Sequence, residues 1–185
     1  MRLTENRRLA AVVLAVCVLL SVFGLGGAAL GRERGKVLKV FNDGTLPTAS
    51  TRMSMDAYLD DVGECASIMA NEAELRLGAS DLTSATLSNA RVVSDDSASL
   101  DARSAAYTGL REQVDKLYNT LYNQVSPDQL VQFKLAYDDF WGKKDMIDRD
   151  EYHNLAKGYN DLISGFPGGV VATLTRQGSL NTFGG

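Results

Sequence analysis

The sequence predicts an all-α protein in which an N-terminal transmembrane helix precedes an antiparallel up-and-down bundle of four to five helices. Residues 9–30, LAAVVLAVCVLLSVFGLGGAAL, carry no Asp, Glu, Lys, Arg or His, and about 20 apolar residues let a helix cross the hydrocarbon core of a bilayer. Beyond them, apolar residues recur every three or four positions, which is the helical period. No stretch alternates apolar and polar residues long enough to predict a strand. Short polar breaks between helices favour antiparallel packing of neighbours.

Residues 1–35 are predicted to form a short basic N-terminus and a membrane anchor. A cleaved signal peptide is the alternative, because Gly27, Ala28 and Ala29 resemble a cleavage site. We favour the anchor, since a signal has an apolar core of only about 7–15 residues. Basic residues also follow the stretch at once, as they do at a stop-transfer boundary. The residues assigned to the anchor are Leu9, Val13, Val16, Leu20, Phe23 and Leu30.

The orientation of the anchor depends on the basic residues at its two ends. Three arginines precede it, and four basic residues follow it: Arg32, Arg34, Lys36 and Lys39. Because cytoplasmic flanks carry the excess of lysine and arginine, we expect a single-pass protein of the cell membrane with its bundle on the cytoplasmic side.

Gly27, Gly31 and Gly35 are spaced by four residues, so a helix would place them on one face. Small residues at this spacing let two membrane helices approach closely, which would make the chain a homo-oligomer. The alternative, which we favour, is that these glycines only loosen the end of the helix.

Residues 36–53 are predicted to hold the membrane-proximal helix end and a linker, with Asn42, Asp43 and Gly44 as the turn that stops the helix. Residues 54–175 are predicted to form the bundle, and residues 176–185 a flexible tail. Ser54 caps a first bundle helix that Gly78 ends.

A shorter helix follows from Ser80 or Asp81, and residues 94–97 break it. The clearest periodicity comes next, in Tyr107, Leu110, Val114, Leu117 and Leu121.

Two further helices are predicted from capping boxes. Ser126 with Gln129 opens the first, which should break near residues 142–145. Asp148 with Glu151 opens the second. The apolar stripe of this last long helix is Tyr152, Leu155, Tyr159, Leu162 and Phe166, and residues 170–174 supply one more apolar turn.

Composition argues against several classes of function. Without Arg2, Glu5, Arg7 and Arg8, the chain keeps 16 basic and 22 acidic residues, a net charge of −6. An acidic domain argues against binding to nucleic acid. Cys17 lies inside the apolar stretch, so we expect no disulfide. The single histidine excludes schemes that need two, and no familiar catalytic motif occurs. We therefore expect neither an enzyme nor a cofactor.

Two groups of acidic residues could in principle bind a cation. Asp56, Asp60 and Glu64 share a helix face, which we interpret as a solvated surface. The second group lacks the glycine and the final glutamate of a calcium-binding loop, and helix capping explains two of its members. It consists of Asp145, Asp148, Asp150 and Glu151.

The aromatic and basic residues have similarly plain interpretations. Tyrosines 107, 137, 152 and 159 fall on apolar stripes, where a tyrosine packs in the core. Trp141 with Lys143 and Lys144 could touch lipid headgroups, but two lysines are too few for a binding site.

The C-terminal residues Tyr152, Tyr159-Asn160 and Phe166-Pro167 resemble those of the bacterial LemA family of membrane-anchored proteins. Asn42 and Gly44, shortly after the anchor, resemble a shorter and divergent branch of that family. The basic Arg-Arg-x-Asp-Leu-Ile-Pro-Asn stretch of the better-known branch is missing here. The resemblance implies an antiparallel helical bundle on one transmembrane helix, and no catalytic or binding residues.

We expect a single-pass membrane-anchored protein whose bundle is a non-enzymatic interaction or scaffolding domain. Its partners would be the bilayer, through residues 9–30, and other proteins. The alternative is a sensor that binds a small apolar or cationic ligand between its helices. An unfamiliar enzyme is a third hypothesis.

Overall fold

The computed structural model describes residues 7–44 and 53–183, and these residues contain no strand. The predicted all-α class is confirmed. The elements are α1 (Arg7–Asp43), α2 (Met55–Leu77), α3 (Asp81–Val93), α4 (Leu100–Tyr122), a 3₁₀ turn (Pro127–Gln129), α5 (Val131–Asp148), α6 (Tyr152–Ser164) and α7 (Gly168–Thr175). The chain divides into two compact units. The first comprises Met1–Leu38 with Leu155–Leu180, and the second comprises Lys39–Asn154 with Asn181–Gly185.

The second unit contains a bundle of four helices, α2 to α5. Helix α2 packs against both α3 and α5, and α3 packs against α4. Chain neighbours are therefore also spatial neighbours, as short connections in a bundle favour. The predicted heptad stripe forms the core of α4, since Tyr107, Leu110, Val114, Leu117 and Leu121 are all buried.

The predicted ends of the early helices are confirmed. Ser54 caps α2, because its side chain accepts a hydrogen bond from the N–H of Ala57. Gly78 follows α2 at a φ of 87°, a left-handed conformation that glycine adopts without steric cost. Ser80 and Thr83 form a capping box at the start of α3, in which each side chain accepts from the other residue's N–H.

Three predicted helix boundaries are wrong. The Ser126 side chain makes no capping hydrogen bond, and the three residues after it form a 3₁₀ turn before α5 begins at Val131. Helix α5 also continues past residues 142–145, because its buried residues on both sides of Gly142 hold it in place against the modest helix cost of one glycine.

The start of α6 also differs from the prediction. Asp148 remains in the last turn of α5, where its carboxylate lies 2.6 Å from Lys144 Nζ. The carboxylate of Asp150 accepts the hydrogen bond from the N–H of Tyr152 at 2.9 Å. The side-chain hydrogen bond at this helix start therefore comes from Asp150 and not from Asp148, because the salt bridge and the last turn of α5 hold Asp148.

Arg103 is a buried cation in the middle of the bundle unit. Its side chain is 3% exposed. The guanidinium donates to Asp56 Oδ1 on α2 at 2.6 Å and to the carbonyl of Val93 at the end of α3 at 2.7 Å. Its Cζ also lies 5.5 Å from the centre of the Phe41 ring. One side chain of α4 therefore contacts α1, α2 and α3, and Asp56 is an ion-pair partner as well as a member of the predicted solvated face.

Arg103→Ala should lower the free energy of unfolding by about 3 kcal/mol, because it removes the counter-ion of Asp56 and the hydrogen-bond donor to the Val93 carbonyl. Urea unfolding of the full chain in detergent, followed by circular dichroism, measures it. Lys134→Ala is the control, since Lys134 and Asp138 form an exposed pair on α5. The control should unfold like the wild type, and equal effects of the two variants would contradict the role of Arg103.

Close packing of α2 against α3 requires a glycine at position 63. A Cβ on Gly63 would stand 2.2 Å from Ser94 Oγ and 3.0 Å from the carbonyl oxygen of Ala90. The Ser94 hydroxyl can rotate away, but the backbone carbonyl cannot move without shifting α3. The absence of a side chain therefore sets the distance between the two helices.

Gly63→Ala should destabilise the bundle by about 1–3 kcal/mol, which is the usual cost of overpacking. Gly142→Ala is the matched control, because nothing lies within 4 Å of the added methyl group on α5. It should stabilise the protein by about 0.5–1 kcal/mol, since alanine is the better helix former. The same unfolding assay measures both, and destabilisation by Gly142→Ala would show that glycine propensity is not the controlling term.

Candidate functional site

Helix α1 carries the apolar stretch, and in the described part of the chain it is the one helix long and apolar enough to cross a membrane. The 22 residues 9–30 span about 33 Å at about 1.5 Å per residue, close to the hydrocarbon thickness of about 30 Å. Val13, Val16 and Leu20 are exposed. The side chain of Leu9 lies outside the described residues. The structure therefore leaves most of this apolar surface uncovered.

The C-terminal end of the apolar stretch packs inside the first unit. Leu30 is 4% exposed and forms a core with Val171 and Ala172 of α7. Phe23 and Ile163 pack against the same core. Of the residues assigned to the anchor, Leu30 and part of Phe23 therefore contact the protein itself.

The glycines of α1 allow this close contact. A Cβ on Gly27 would stand 2.6 Å from Thr175 Cγ2, and one on Gly26 would stand 3.3 Å from Val171 Cγ1. At Gly31 the nearest atom is Gln177 Nε2 at 3.8 Å, and nothing lies within 4 Å at Gly35. Helix α1 runs through all of them to Asp43, so they do not loosen its end. The small-residue face receives α7, and its pairing with a second copy stays a prediction.

Gly27→Leu should displace α7, because the larger side chain would occupy the space of the Thr175 methyl group. Trypsin measures this, since Arg176 directly follows α7 and is exposed, and a loosened α7 should be cleaved there faster. Gly35→Leu is the control, because open space surrounds that position. Equal cleavage rates in the two variants would contradict the packing of α7 on Gly27.

The segment that connects α6 to α7 exposes apolar side chains. Phe166 is 92% exposed, and Leu162, Val170 and Leu174 are also exposed. Beside them lies a cleft of about 470 Å³ with mainly apolar walls, formed by residues 26–30 of α1 and by residues 161–171. Its one ionisable lining residue is Asp161. The predicted stripe of α6 is therefore buried at Tyr152 and Tyr159 and exposed at its C-terminal end.

Residues 180–183 of the predicted flexible tail make defined contacts, and residues 184 and 185 lie outside the described part of the chain. In the first unit, the Asn160 side chain donates to the carbonyl of Leu180 and accepts from its N–H, both at 2.8 Å. This pair of bonds satisfies the backbone of Leu180 as a neighbouring strand would. Leu180 itself is buried.

In the second unit, the end of the tail packs into an aromatic cluster. Phe183 is buried, with its ring 5.6 Å from that of Phe41 and 6.3 Å from that of Tyr152. The Tyr152 hydroxyl donates to the carbonyl of Asn181 at 2.8 Å. Apolar burial and hydrogen bonds order this segment, which its polar and glycine-rich sequence does not reveal.

The structure also places the remaining family-like residues. Gly44 ends α1 at a φ of 78°, and its N–H donates to the carbonyl of Val40 at 2.9 Å. Asn42 is exposed on the last turn of α1, and Pro167 directly precedes α7. Tyr159 is buried, and burial raises the pKa of its hydroxyl above the usual value.

Several charged residues weighed as sites have structural partners. Lys143 pairs with Asp61, and Lys144 pairs with Asp148. His153 Nε2 lies 2.8 Å from the carbonyl oxygen of Ile147, to which it donates as the Nε2–H tautomer. Burial and the carboxylates of Asp56 and Asp96 raise the pKa of Asp60.

Residues 7–44 and 53–183 hold no group of three or more histidine, cysteine, aspartate or glutamate side chains suited to a metal ion. Cys17 and Cys65 are both free. Burial and nearby carboxylates, including that of Asp139, raise the pKa of the Cys65 thiol to about 11. A thiol that stays protonated at neutral pH is a poor nucleophile. Cys65 is therefore a packing residue of α2.

Sequence reasoning missed two features. Arg103 precedes Tyr107 by four residues, so it continues the heptad stripe of α4, and an arginine on an apolar stripe was a usable signal of a buried ion pair. For Asn160, the sequence indicates only a family-like pair with Tyr159. The hydrogen bonds of the Asn160 side chain to Leu180 leave no sequence signal, because they involve only the backbone of Leu180, which every residue type has.

The described residues define a class of protein: a chain with one helix long and apolar enough to span a membrane, followed by a helical bundle. Comparison with protein-family models, with curated proteins and with solved structures found no match. The resemblance to the LemA family therefore stays a prediction.

Proposed function

We propose that this chain is a single-pass membrane protein whose helical bundle is a non-enzymatic interaction or scaffolding domain at the membrane surface. The observation that carries the proposal is the uncovered apolar surface of α1, where Val13, Val16 and Leu20 are exposed. At about 25 cal/mol per Å² of apolar area, leaving such a helix in water is costly. A bilayer removes that cost.

The side chains of the bundle that catalysis would most readily use are engaged in structural contacts, which favours an interaction role. Arg103, Lys143 and Lys144 are engaged in ion pairs with carboxylates, and His153 in a backbone contact. These contacts stabilise helix packing and leave an ordered surface. That surface includes a row of aromatic rings on α4 and α5, in which Tyr118 stacks on Tyr137 at 4.1 Å and on Tyr122 at 5.6 Å.

Membrane fractions treated with alkaline carbonate and then with a crosslinker test both halves of the proposal. Wild-type protein should stay in the membrane and yield crosslinked species of higher mass. Val13→Arg/Leu20→Arg should be extracted, because each arginine near the centre of a span costs about 2.5–3.5 kcal/mol. Gly35→Arg/Asn42→Arg adds the same charge beyond the apolar stretch and should behave like the wild type.

Two results would contradict the proposal separately. Extraction of the wild type by carbonate would contradict the proposed membrane anchor. Retention in the membrane without any crosslinked species would support the anchor and contradict the interaction role.

We also propose that the bundle faces the cytoplasm. Four basic residues follow the apolar stretch. Arg176, directly after α7, adds another at the same end, since it precedes Gln177, which lies beside Gly31. More basic residues at that end favour its retention in the cytoplasm. Leu75→Cys, at an exposed position of α2, in a chain without Cys17 and Cys65 should resist an impermeant thiol reagent on intact cells. Labelling would place the bundle outside.

Membership of a divergent LemA-like branch remains part of the proposal. The left-handed conformation of Gly44 and the bonds from Asn160 to Leu180 give physical reasons for these residue types at these positions. If the matching asparagine of a LemA protein faced solvent in its structure, the resemblance would lose this support.

The alternative of a ligand-binding sensor has one observation in its favour, the cleft of about 470 Å³ beside Leu30. Its walls favour an apolar ligand over a cation. A binder must raise the melting temperature of the protein, so a shift with an apolar compound would support the sensor.

A further inference from the structure

The connection between α6 and α7 belongs to a long segment without charge. Residues 162–175, LISGFPGGVVATLT, carry no ionisable side chain, and Asp161 and Arg176 flank them. The described structure folds this segment into the end of α6, a turn and α7. We call residues 162–175 the apolar hairpin.

The apolar hairpin lies alongside the apolar stretch of α1 in the first unit. Val171 lies against Gly26, and Thr175 lies against Gly27. These glycines stand three and four residues before Leu30, which places the contacts about 4–6 Å inside the apolar stretch at about 1.5 Å per residue.

Charge begins at the same level on both elements. Gln177 lies beside Gly31, the first residue after the apolar stretch. Arg176 is therefore near the level at which α1 itself becomes charged, with Arg32. On α6, Asp161 lines the cleft together with Ala29 and Leu30. The apolar hairpin and α1 thus share one boundary between apolar and charged residues.

Several large apolar side chains of the hairpin are exposed, and Phe166 lines the same cleft as Gly26 and Ala29 of α1. Phe166 is 92% exposed at the turn, and Leu25 on α1 is 71% exposed. A side chain as large as phenylalanine on a water-exposed turn loses the benefit of burial. An apolar helix at a membrane surface buries its apolar face about 5–10 Å into the headgroup and acyl boundary.

We propose that the apolar hairpin inserts into the bilayer beside α1, with Phe166 in contact with lipid acyl chains. The inserted turn is a second membrane contact of the chain, in addition to the span. It fixes the rotation and depth of α1, because α7 packs on Gly26 and Gly27. This inference rests on the proposed membrane anchoring of α1.

The occupant of this surface is lipid hydrocarbon, because the surface is continuous with the apolar surface of α1. The exposed side chains of the hairpin join an apolar surface on α1 that is long enough to span a bilayer. A bilayer surface requires the charged residues of α1 and of the hairpin flanks to begin at one level. A protein partner that covered the hairpin in water would not require this.

Three single-cysteine variants of the full chain test the proposal, in a background with Cys17→Ala and Cys65→Ala. Leu25→Cys reports on the span, Phe166→Cys on the hairpin, and Lys157→Cys on an exposed position of α6 outside the apolar hairpin. Each carries an NBD fluorophore in vesicles of equal parts phosphatidylcholine and phosphatidylglycerol. Vesicles with brominated acyl chains quench a fluorophore that contacts lipid.

We expect a loss of NBD intensity at positions 25 and 166 in brominated vesicles and unchanged intensity at position 157. Loss at position 25 alone would overturn the insertion and leave the anchor intact, with a protein surface or a second copy covering Phe166. No loss at position 25 would overturn the anchor and the insertion together. Loss at all three positions would show that α6 as a whole lies in lipid, which also contradicts insertion of the hairpin alone.

Discussion

The exposed apolar surface of α1 is the physical constraint on which the proposed functions of this protein depend. Twenty-two consecutive residues, 9–30, include no Asp, Glu, Lys, Arg or His, and the described part of the first unit covers only their C-terminal end, around Leu30. In water such a surface would drive aggregation, because within the described part of the first unit only its C-terminal end is covered. The proposed membrane function and the proposed insertion of the apolar hairpin both follow from this one requirement.

The bundle unit depends on a different kind of interaction. Arg103 is buried among three helices and the ring of Phe41, with Asp56 as its closest counter-ion. A buried ion pair is weak evidence of net stability, because desolvation offsets much of the attraction. Its consequence here is geometric: the guanidinium satisfies the carbonyl of Val93 at the end of α3 and holds α2 and α4 at the same point. Apolar side chains alone could pack in several similar arrangements, and the contacts of Arg103 favour one of them.

The C-terminal third of the chain shows how non-local contacts give order to an unremarkable sequence. Asn160 binds both backbone groups of Leu180, and Phe183 packs against Phe41 within the bundle unit. Neither contact requires periodicity, so neither produces a sequence pattern. The same holds for Gly27, where the missing side chain makes room for Thr175 of α7. Glycine spacing indicated a close approach of helices, but not which helix would approach.

The sequence by itself determined the elements. A helix forms where apolar residues repeat with its period, so the stripe from Tyr107 to Leu121 and the apolar stretch of α1 could be located without a structure. Caps at Ser54 and Ser80 were equally local, because they involve residues only three positions apart. Where local signals competed, as at Ser126 and Asp148, the prediction failed by a few residues. The tertiary structure alone decided which residues meet and which stay exposed. Asp56 pairs with Arg103, and α7 covers Gly27. Leu180 and Phe183 are buried, and Phe166 is exposed at a turn. These outcomes depend on side chains from distant positions meeting in space, and that information is carried by the packing of the whole chain.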